Sequence, residues 1–195
     1  MEEEENRFNF LFALKLAGQK DWVMVRPDWV EYYMQIAIAV RARADCMGNR
    51  VGALLVQNRH IISTGYNGTP HGTTNCSDGG CHRCFHREEY KSGKDYDLCI
   101  CVHAEQNTLL SAARFGISTS GAILYSTMQP CFGCTKELLQ AQVQSVYYLH
   151  SWIYPDPLRQ QAYNNLIAKF PQGIFKVNMQ DPNGEWAVSN LRSQE

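Results

Sequence analysis

His103-Ala104-Glu105 and, beginning 25 residues after Glu105, Pro130-Cys131-Phe132-Gly133-Cys134 constrain this chain more than any other feature. Each opens an apolar helical stretch, Ala104 to Phe115 with Leu109, Ala112 and Ala113 on one side, and Cys131 to Gln142 with Leu138, Leu139 and Ala141. A fold that brings the two helix entrances together gives His103, Cys131 and Cys134 one metal ion to share. Three N/S ligands leave a fourth tetrahedral position open on Zn2+, as in a catalytic site, whereas a structural zinc normally takes four protein ligands. Glu105 is then a carboxylate beside the ion that does not hold it. On a helix, residues two apart point about 200° from one another, so His103 and Glu105 serve one site only at a helix N-terminus. Pro130 suits such an entrance, and the free N–H groups there favour thiolate cysteines.

The bland alternatives are a half-site for structural zinc or a redox pair for Cys131 and Cys134, and no meaning at all for His103-x-Glu105. Order, spacing and helical context together weigh against both. The chemistry that such a centre supports is hydrolysis of an amidine-like C–NH2 group. Zinc lowers the pKa of water to about 7, and one carboxyl group carries protons to the ring nitrogen and to the departing amine. Glu105 is placed for that shuttle.

A chain of 195 residues, 45% hydrophobic, is one domain that buries roughly 70% of its unfolded surface without needing disulfides. Its eight cysteines and an acidic start without a cleavable apolar leader point to metal binding in a reducing compartment, the cytoplasm. There is no apolar run long enough to span a membrane. A net charge of −1 lacks the basic footprint of a nucleic-acid binder and favours a small-molecule substrate.

Residues 1–25 form an acidic and apolar extension, with a weak amphipathic helix expected over 8–16. The main domain is expected over 26–180, with a Cys/His-rich insertion at 68–101, and 181–195 reads as a C-terminal tail. Asp28 is an N-cap candidate for a helix carrying Val30, Tyr33, Met34, Ala37 and Ile38. Val51 to Val56 and His60 to Tyr66 read as a hairpin across Asn58-Arg59. Further strands are expected over 122–127, 145–150 and 173–179, with a helix over about 158–169. Alternating elements of this kind imply an α/β fold, a central mixed sheet covered by helices.

The stretch from Gly68 to about Tyr96 has no sustained period and is too long for an unsupported loop. Cys76, Cys81, His82, Cys84 and His86 lie in it, Cys99 and Cys101 follow, and Cys46 precedes the first strand. Four such ligands would close a structural zinc site, whose binding contributes about 10–16 kcal/mol in small zinc domains and offsets the cost of ordering the loop. Cys46 or Cys99, taken singly, also reads as a buried thiol.

Asn49, Asn67 and the backbone around Ala104 are candidates to hydrogen-bond a substrate. Tyr125, Phe132 or Trp152 are candidates to stack on it, and Arg26, Arg43 or Arg50 to hold a phosphate. Asn67 is equally well a turn residue. His60, His71 and His150 read as surface or satisfied core histidines.

The pattern His-x-Glu…Pro-Cys-x-x-Cys resembles the signature of the zinc-dependent nucleobase deaminases. Arg26-Pro-Asp-Trp29, Tyr32-Tyr-Met34, Cys46 before Val51-Gly-Ala, Gly65-Tyr-Asn-Gly-Thr-Pro70, Asn75-Cys76, Gly79-Gly-Cys81, Cys84 and Cys99-Ile-Cys-Val-His-Ala-Glu105 narrow the resemblance to the deoxycytidylate (dCMP) deaminase family over roughly 26–176. It implies a three-layer α/β/α cytidine-deaminase-like fold with a five-stranded mixed sheet, and hydrolysis of dCMP to dUMP and ammonia for dTTP supply. His103, Cys131 and Cys134 would be the zinc ligands and Glu105 the shuttle. The resemblance also implies a homo-oligomer, hexamer or dimer, regulated by dCTP and dTTP with Mg2+ beside the nucleotide, at the segment Gly65, Tyr66, Asn67 and Gly68. A structural zinc would use Cys46, Cys76, Cys101 and either Cys81 or Cys84, and the segment carries ligands enough for a third ion.

Trp152 lies near where many members carry a pocket tyrosine, so substrate choice stays open between dCMP and dCTP, a nucleoside or nucleic acid. A catalytically silent, zinc-stapled binding subunit is the remaining alternative.

Overall fold

The computed structural model describes residues 26–90, 96–189 and 191, together with the backbone of Ala13–Leu14 and Val23–Met24. In chain order the elements are β1 (Ala13–Leu14), β2 (Val23–Met24), α1 (Trp29–Arg41), β3 (Gly52–Gln57), β4 (His60–Tyr66), α2 (His82–Phe85), α3 (Ala104–Arg114), β5 (Ile123–Met128), α4 (Phe132–Gln140), β6 (Ser145–His150), α5 (Pro157–Ile167), β7 (Ile174–Lys176) and α6 (Gly184–Ala187). The amphipathic helix expected over 8–16 lies largely outside the described residues. Its Ala13–Leu14 portion is extended and pairs antiparallel with Val23–Met24, so backbone pairing wins over helical period there.

Five strands form one mixed sheet in the order β4-β3-β5-β6-β7. The hairpin β3–β4 and the pair β3–β5 are antiparallel, while β5–β6 and β6–β7 are parallel. Asn58 and Arg59 both take positive φ, 51° and 64°, as a two-residue hairpin turn with the right twist requires. The strand expected over 173–179 shortens to three residues, because only Val146 to Tyr148 of β6 offer it partners in register.

Alternation along the central strands explains the layers. Leu54, Val56 and Tyr125 point to one face, where Met34, Ala37 and Ile38 of α1 cover them. Ala53, Leu55 and Leu124 point to the other, against Ala104 of α3 and Leu138 of α4. Burial on both faces with period two is what a three-layer α/β/α domain demands. Asp28 caps α1 through the Glu31 N–H at 2.8 Å, and Asp156 does the same for α5 through the Arg159 N–H at 2.7 Å.

Two glycines set the spacing of the layers. A Cβ on Gly52 would lie 2.3 Å from the Ala37 carbonyl in α1, and one on Gly65 would lie 2.4 Å from the Ala104 carbonyl in α3. Both contacts are with backbone, so the helices approach the sheet only because these side chains are missing.

The boundary expected at residue 180 moves. Asp181 receives both terminal nitrogens of the fully buried Arg41, at 2.6 and 2.7 Å, and pairs with His150 Nε2 at 2.7 Å. Ala187 and Val188 are buried in the core beside the sheet, and the Arg50 N–H donates to the Ala187 carbonyl at 2.8 Å. Through Ser189 the expected tail is therefore part of the domain, held by a buried ion pair that no local sequence pattern announces. The long segment after Gly68 is built from single turns, at Cys76–Asp78, α2, Arg87–Glu89 and Tyr96–Leu98. Among the described residues no helix is long and apolar enough to cross a membrane.

Candidate active site and metal centres

Strand β5 ends at Met128 and delivers Pro130 and Cys131 to the start of α4, while α3 starts immediately after His103. Because α3 and α4 pack on the same face of the sheet, their N-termini converge. His103 Nδ1 lies 3.5 Å from Cys131 Sγ and 3.3 Å from Cys134 Sγ, and the two sulfurs are 3.6 Å apart. Zinc with Zn–S about 2.3 Å and Zn–N about 2.0 Å at tetrahedral angles needs edges of about 3.5–3.8 Å, so the three side chains present fit one ion.

Electrostatics agree with that donor set. Hydrogen bonding from Cys134, together with the neighbouring His103, holds the Cys131 thiol down to about 4, which supplies the thiolate that metals bind. Hydrogen bonding to Cys131 pushes His103 up to about 9, and contact with Cys131 together with burial pushes Cys134 upward.

Glu105 is 4% exposed, and its Oε2 lies 3.8 Å from Cys134 Sγ. Burial pushes its carboxyl up to about 7, with the His103 charge opposing. It therefore faces the His103, Cys131 and Cys134 cluster and not solvent, with a proton affinity suited to moving protons both ways near neutral pH.

The surrounding hydrogen bonds fix these elements. Gln106 Oε1 accepts from the His103 N–H at 3.0 Å while its Nε2 donates to Glu137 at 3.0 Å, tying α3 to α4. The Tyr163 hydroxyl donates to the Pro130 carbonyl at 2.6 Å, and the Tyr154 hydroxyl accepts from the Phe132 N–H at 2.7 Å. Tyr154 and Tyr163 escaped the sequence reading because an isolated aromatic carries no signal of where its hydroxyl ends. Trp152, two residues earlier, packs edge-on to Tyr154 with centroids 5.9 Å apart.

Other expected substrate contacts fare unevenly. Tyr125 is buried and stacked on Tyr147, so it is core and does not stack on a ligand. Arg50 donates to the Trp186 carbonyl and lies over that ring. Asn49 keeps its Oδ1 on the Ser189 N–H at 2.8 Å. Asn67 is buried, accepting from the Val51 N–H at 2.7 Å and donating to the Asn49 carbonyl at 2.8 Å, so its amide pins the backbone. Gly65 serves helix packing, while Gly68 pairs with Val102 just ahead of His103. Tyr66 and Gly68 border an open cleft of about 310 Å3 that also meets Arg43 and His71. His150 is the satisfied core histidine, on Asp181.

A second cluster, of cysteine thiols, joins Cys46 to the Cys/His-rich insertion expected over 68–101. Cys46, Cys76, Cys84 and Cys101 gather with every sulfur within 4.8 Å of the others, and so do Cys81, Cys84, Cys99 and Cys101. The resemblance left Cys81 and Cys84 as alternatives and did not use Cys99, which the sequence offered only as one of the pool of ligands or as a buried thiol; the structure places all three beside Cys101. His82 turns instead to the Tyr90 hydroxyl, 3.1 Å away, and His86 faces Glu88 and Glu89 at the surface.

Comparison with known proteins agrees with this geometry. Residues 27–150 match the cytidine and deoxycytidylate deaminase zinc-binding region. Deoxycytidylate deaminase of Schizosaccharomyces pombe is 43% identical over 127 residues, 65% of this chain and 38% of that protein. The Saccharomyces cerevisiae deoxycytidylate deaminase is 37% identical over 147 residues, 74% of this chain and 46% of that protein, so the chain spans less than half the length of either. The dCMP deaminase of cyanophage S-TIM5, solved in complex with dCMP and dUMP, superposes with a TM-score of 0.60 at 30% identity, covering 78% of this chain and 99% of that one. With the match spanning α3, α4 and the four strands β3 to β6, the chain belongs to the zinc-binding family of cytidine and deoxycytidylate deaminases.

Proposed function

We infer that this protein hydrolyses a cytosine nucleotide, dCMP, to dUMP and ammonia. The observation that carries the reading is the buried Glu105 carboxyl against a three-ligand centre of His103, Cys131 and Cys134. A zinc ion held there supplies a Lewis acid that makes water nucleophilic near neutral pH. Glu105 takes one proton from the attacking water and passes it to the ring nitrogen, then takes the second from the new C–OH group and passes it to the exocyclic nitrogen, so that C=O forms as the C–N bond breaks and ammonia departs. A C–NH2 bond is exchanged for C=O with water consumed, and the carboxyl ends as it began. Its burial excludes bulk water as a competing proton source. Support for dCMP comes from the yeast relatives and from the phage enzyme's bound dCMP and dUMP.

The finer assignments belong to the same reading. Ala104, at the entrance of α3, Asn49 through its amide nitrogen, and Trp152 beside Tyr154 border the substrate. The insertion cysteines hold structural zinc. A dCTP or dTTP effector, with Mg2+, fits the cleft beside Tyr66 and Gly68, where Arg43 and His71 offer cationic partners to phosphates. The exposed Leu110 and Phe115 beside the neighbouring cleft suit burial between copies in a homo-oligomer. Eight free cysteines suit the cytoplasm.

The test is ammonia release from dCMP, CMP, dCTP, deoxycytidine, cytosine and a cytosine-containing oligonucleotide, each with and without dCTP as effector. Turnover of dCMP is expected to exceed the rest. Release from none of them would reduce the protein to a zinc-stapled scaffold.

A further inference from the structure

We propose that the insertion holds a binuclear zinc–thiolate cluster, two ions on six cysteines, with Cys84 and Cys101 bridging. Cys46 and Cys76 complete the tetrahedron of one ion, and Cys81 and Cys99 that of the other.

The two tetrads overlap in exactly two members. Cys46, Cys76, Cys84 and Cys101 make one, Cys81, Cys84, Cys99 and Cys101 the other, which is the connectivity of two tetrahedra sharing an edge. The measured separations suit shared ions: Cys46 to Cys84 is 3.7 Å, Cys81 to Cys99 is 3.7 Å, and Cys84 to Cys99 is 3.3 Å. Tetrahedral zinc with Zn–S of about 2.3 Å needs S···S edges of about 3.8 Å. A single ion in the first tetrad would strand Cys81 and Cys99 as thiols, yet these sulfurs sit within a coordination edge of Cys84 and complete a second tetrad with the bridging pair.

Backbone N–H groups point at three of the outer sulfurs. The Met47 N–H points to Cys76 Sγ and the Gly48 N–H to Cys46 Sγ, each at 3.4 Å, and Cys81 receives the N–H groups of Cys84 and Ile100. Charge permits the second ion. One Zn2+ on four thiolates carries −2, and two Zn2+ on six thiolates also carry −2, so the second ion replaces two thiol protons without adding charge to a buried site. Each ion also closes a different piece of chain. The first joins the segment before β3 to the turn at Cys76, and the second joins α2 to the segment leading into His103.

This reading concerns metal content and is independent of which nucleotide is turned over, so dCMP activity is not its readout. The intact chain, expressed with zinc supplementation, is weighed by native and denaturing mass spectrometry and assayed for zinc by plasma emission. Three zinc per chain are expected, falling to two in Cys131→Ser, which empties only the His103 centre. Cys99→Ser is expected to lose one ion while the first tetrad stays filled. A wild-type content of two, with Cys81 and Cys99 alkylated by iodoacetamide or joined as a disulfide, overturns the cluster. Because serine variants can fail to fold, cadmium-113 exchanged into the wild type gives a second reading. Two thiolate resonances coupled to one another are expected from the insertion, and a single resonance overturns it.

Discussion

Cys134 Sγ and Glu105 Oε2 lie 3.8 Å apart, which sets the carboxyl beside the cluster of His103, Cys131 and Cys134 without making it a member. Glu105→Gln keeps the side chain's volume and removes its proton exchange. A loss of about 10²–10⁴ in kcat is expected, with zinc content unchanged by plasma emission. Retained turnover would remove Glu105 from proton transfer, and lost zinc would make it a ligand.

Gly65 and Gly52 face opposite layers, and replacing each with alanine separates packing from chemistry. Each Cβ collides with helix backbone, so each substitution is expected to cost about 3 kcal/mol, the upper end for overpacking. Gly65→Ala displaces α3, which positions His103 and Glu105, and should lower kcat well below that of Gly52→Ala, which moves α1. Urea melts alongside kcat measurements check this. Equal kcat values in the two variants would show that the active centre tolerates the shift.

What was legible in the sequence was what local chemistry writes down. Asp28 caps its helix because a short acidic side chain reaches the N–H three residues on. Leu54 and Leu55 declare opposite faces by adjacency alone. His103, Cys131 and Cys134 were found because each helix entrance carries its ligands within a few residues. The remainder depends on distant pairing. Nothing near Asp181 signals that Arg41 needs it, and nothing near Cys99 signals that Cys84 lies 3.3 Å away. Asn67 was open between turn residue and nucleotide contact, because an amide's partners are decided by strands that the sequence does not align.

Asn67→Ala tests which of those two roles prevails. Removing the amide leaves the buried Val51 N–H without its 2.7 Å acceptor, and an unpaired buried backbone donor costs about 2 kcal/mol. A matching fall in stability is expected by urea denaturation. No loss of stability, with an altered response to dCTP, would return Asn67 to a nucleotide contact.

Asp181→Asn probes the pair that ties the C-terminal segment to α1. The substitution keeps the shape but leaves the Arg41 guanidinium, with 1% of its side chain exposed, facing no opposite charge. Breaking a buried pair from one side costs about 3 kcal/mol or more. The pH dependence follows from the direction of the shift. Burial works against ionisation, but hydrogen bonds from Arg41 and His150 hold the Asp181 carboxyl well below the usual carboxylate range. A depressed folded-state pKa contributes stability that is complete above the unfolded value, about 3.9. That contribution disappears as pH falls toward the folded value. The difference between wild type and Asp181→Asn in urea melts is therefore expected to be full at pH 7 and to shrink steadily below about pH 4. Cysteine thiolates also protonate in acid, but they do so in both proteins and cancel in the difference. A gap that stays constant from pH 7 to pH 3 would mean that Asp181 holds the segment by shape and hydrogen bonding alone, with its charge contributing nothing.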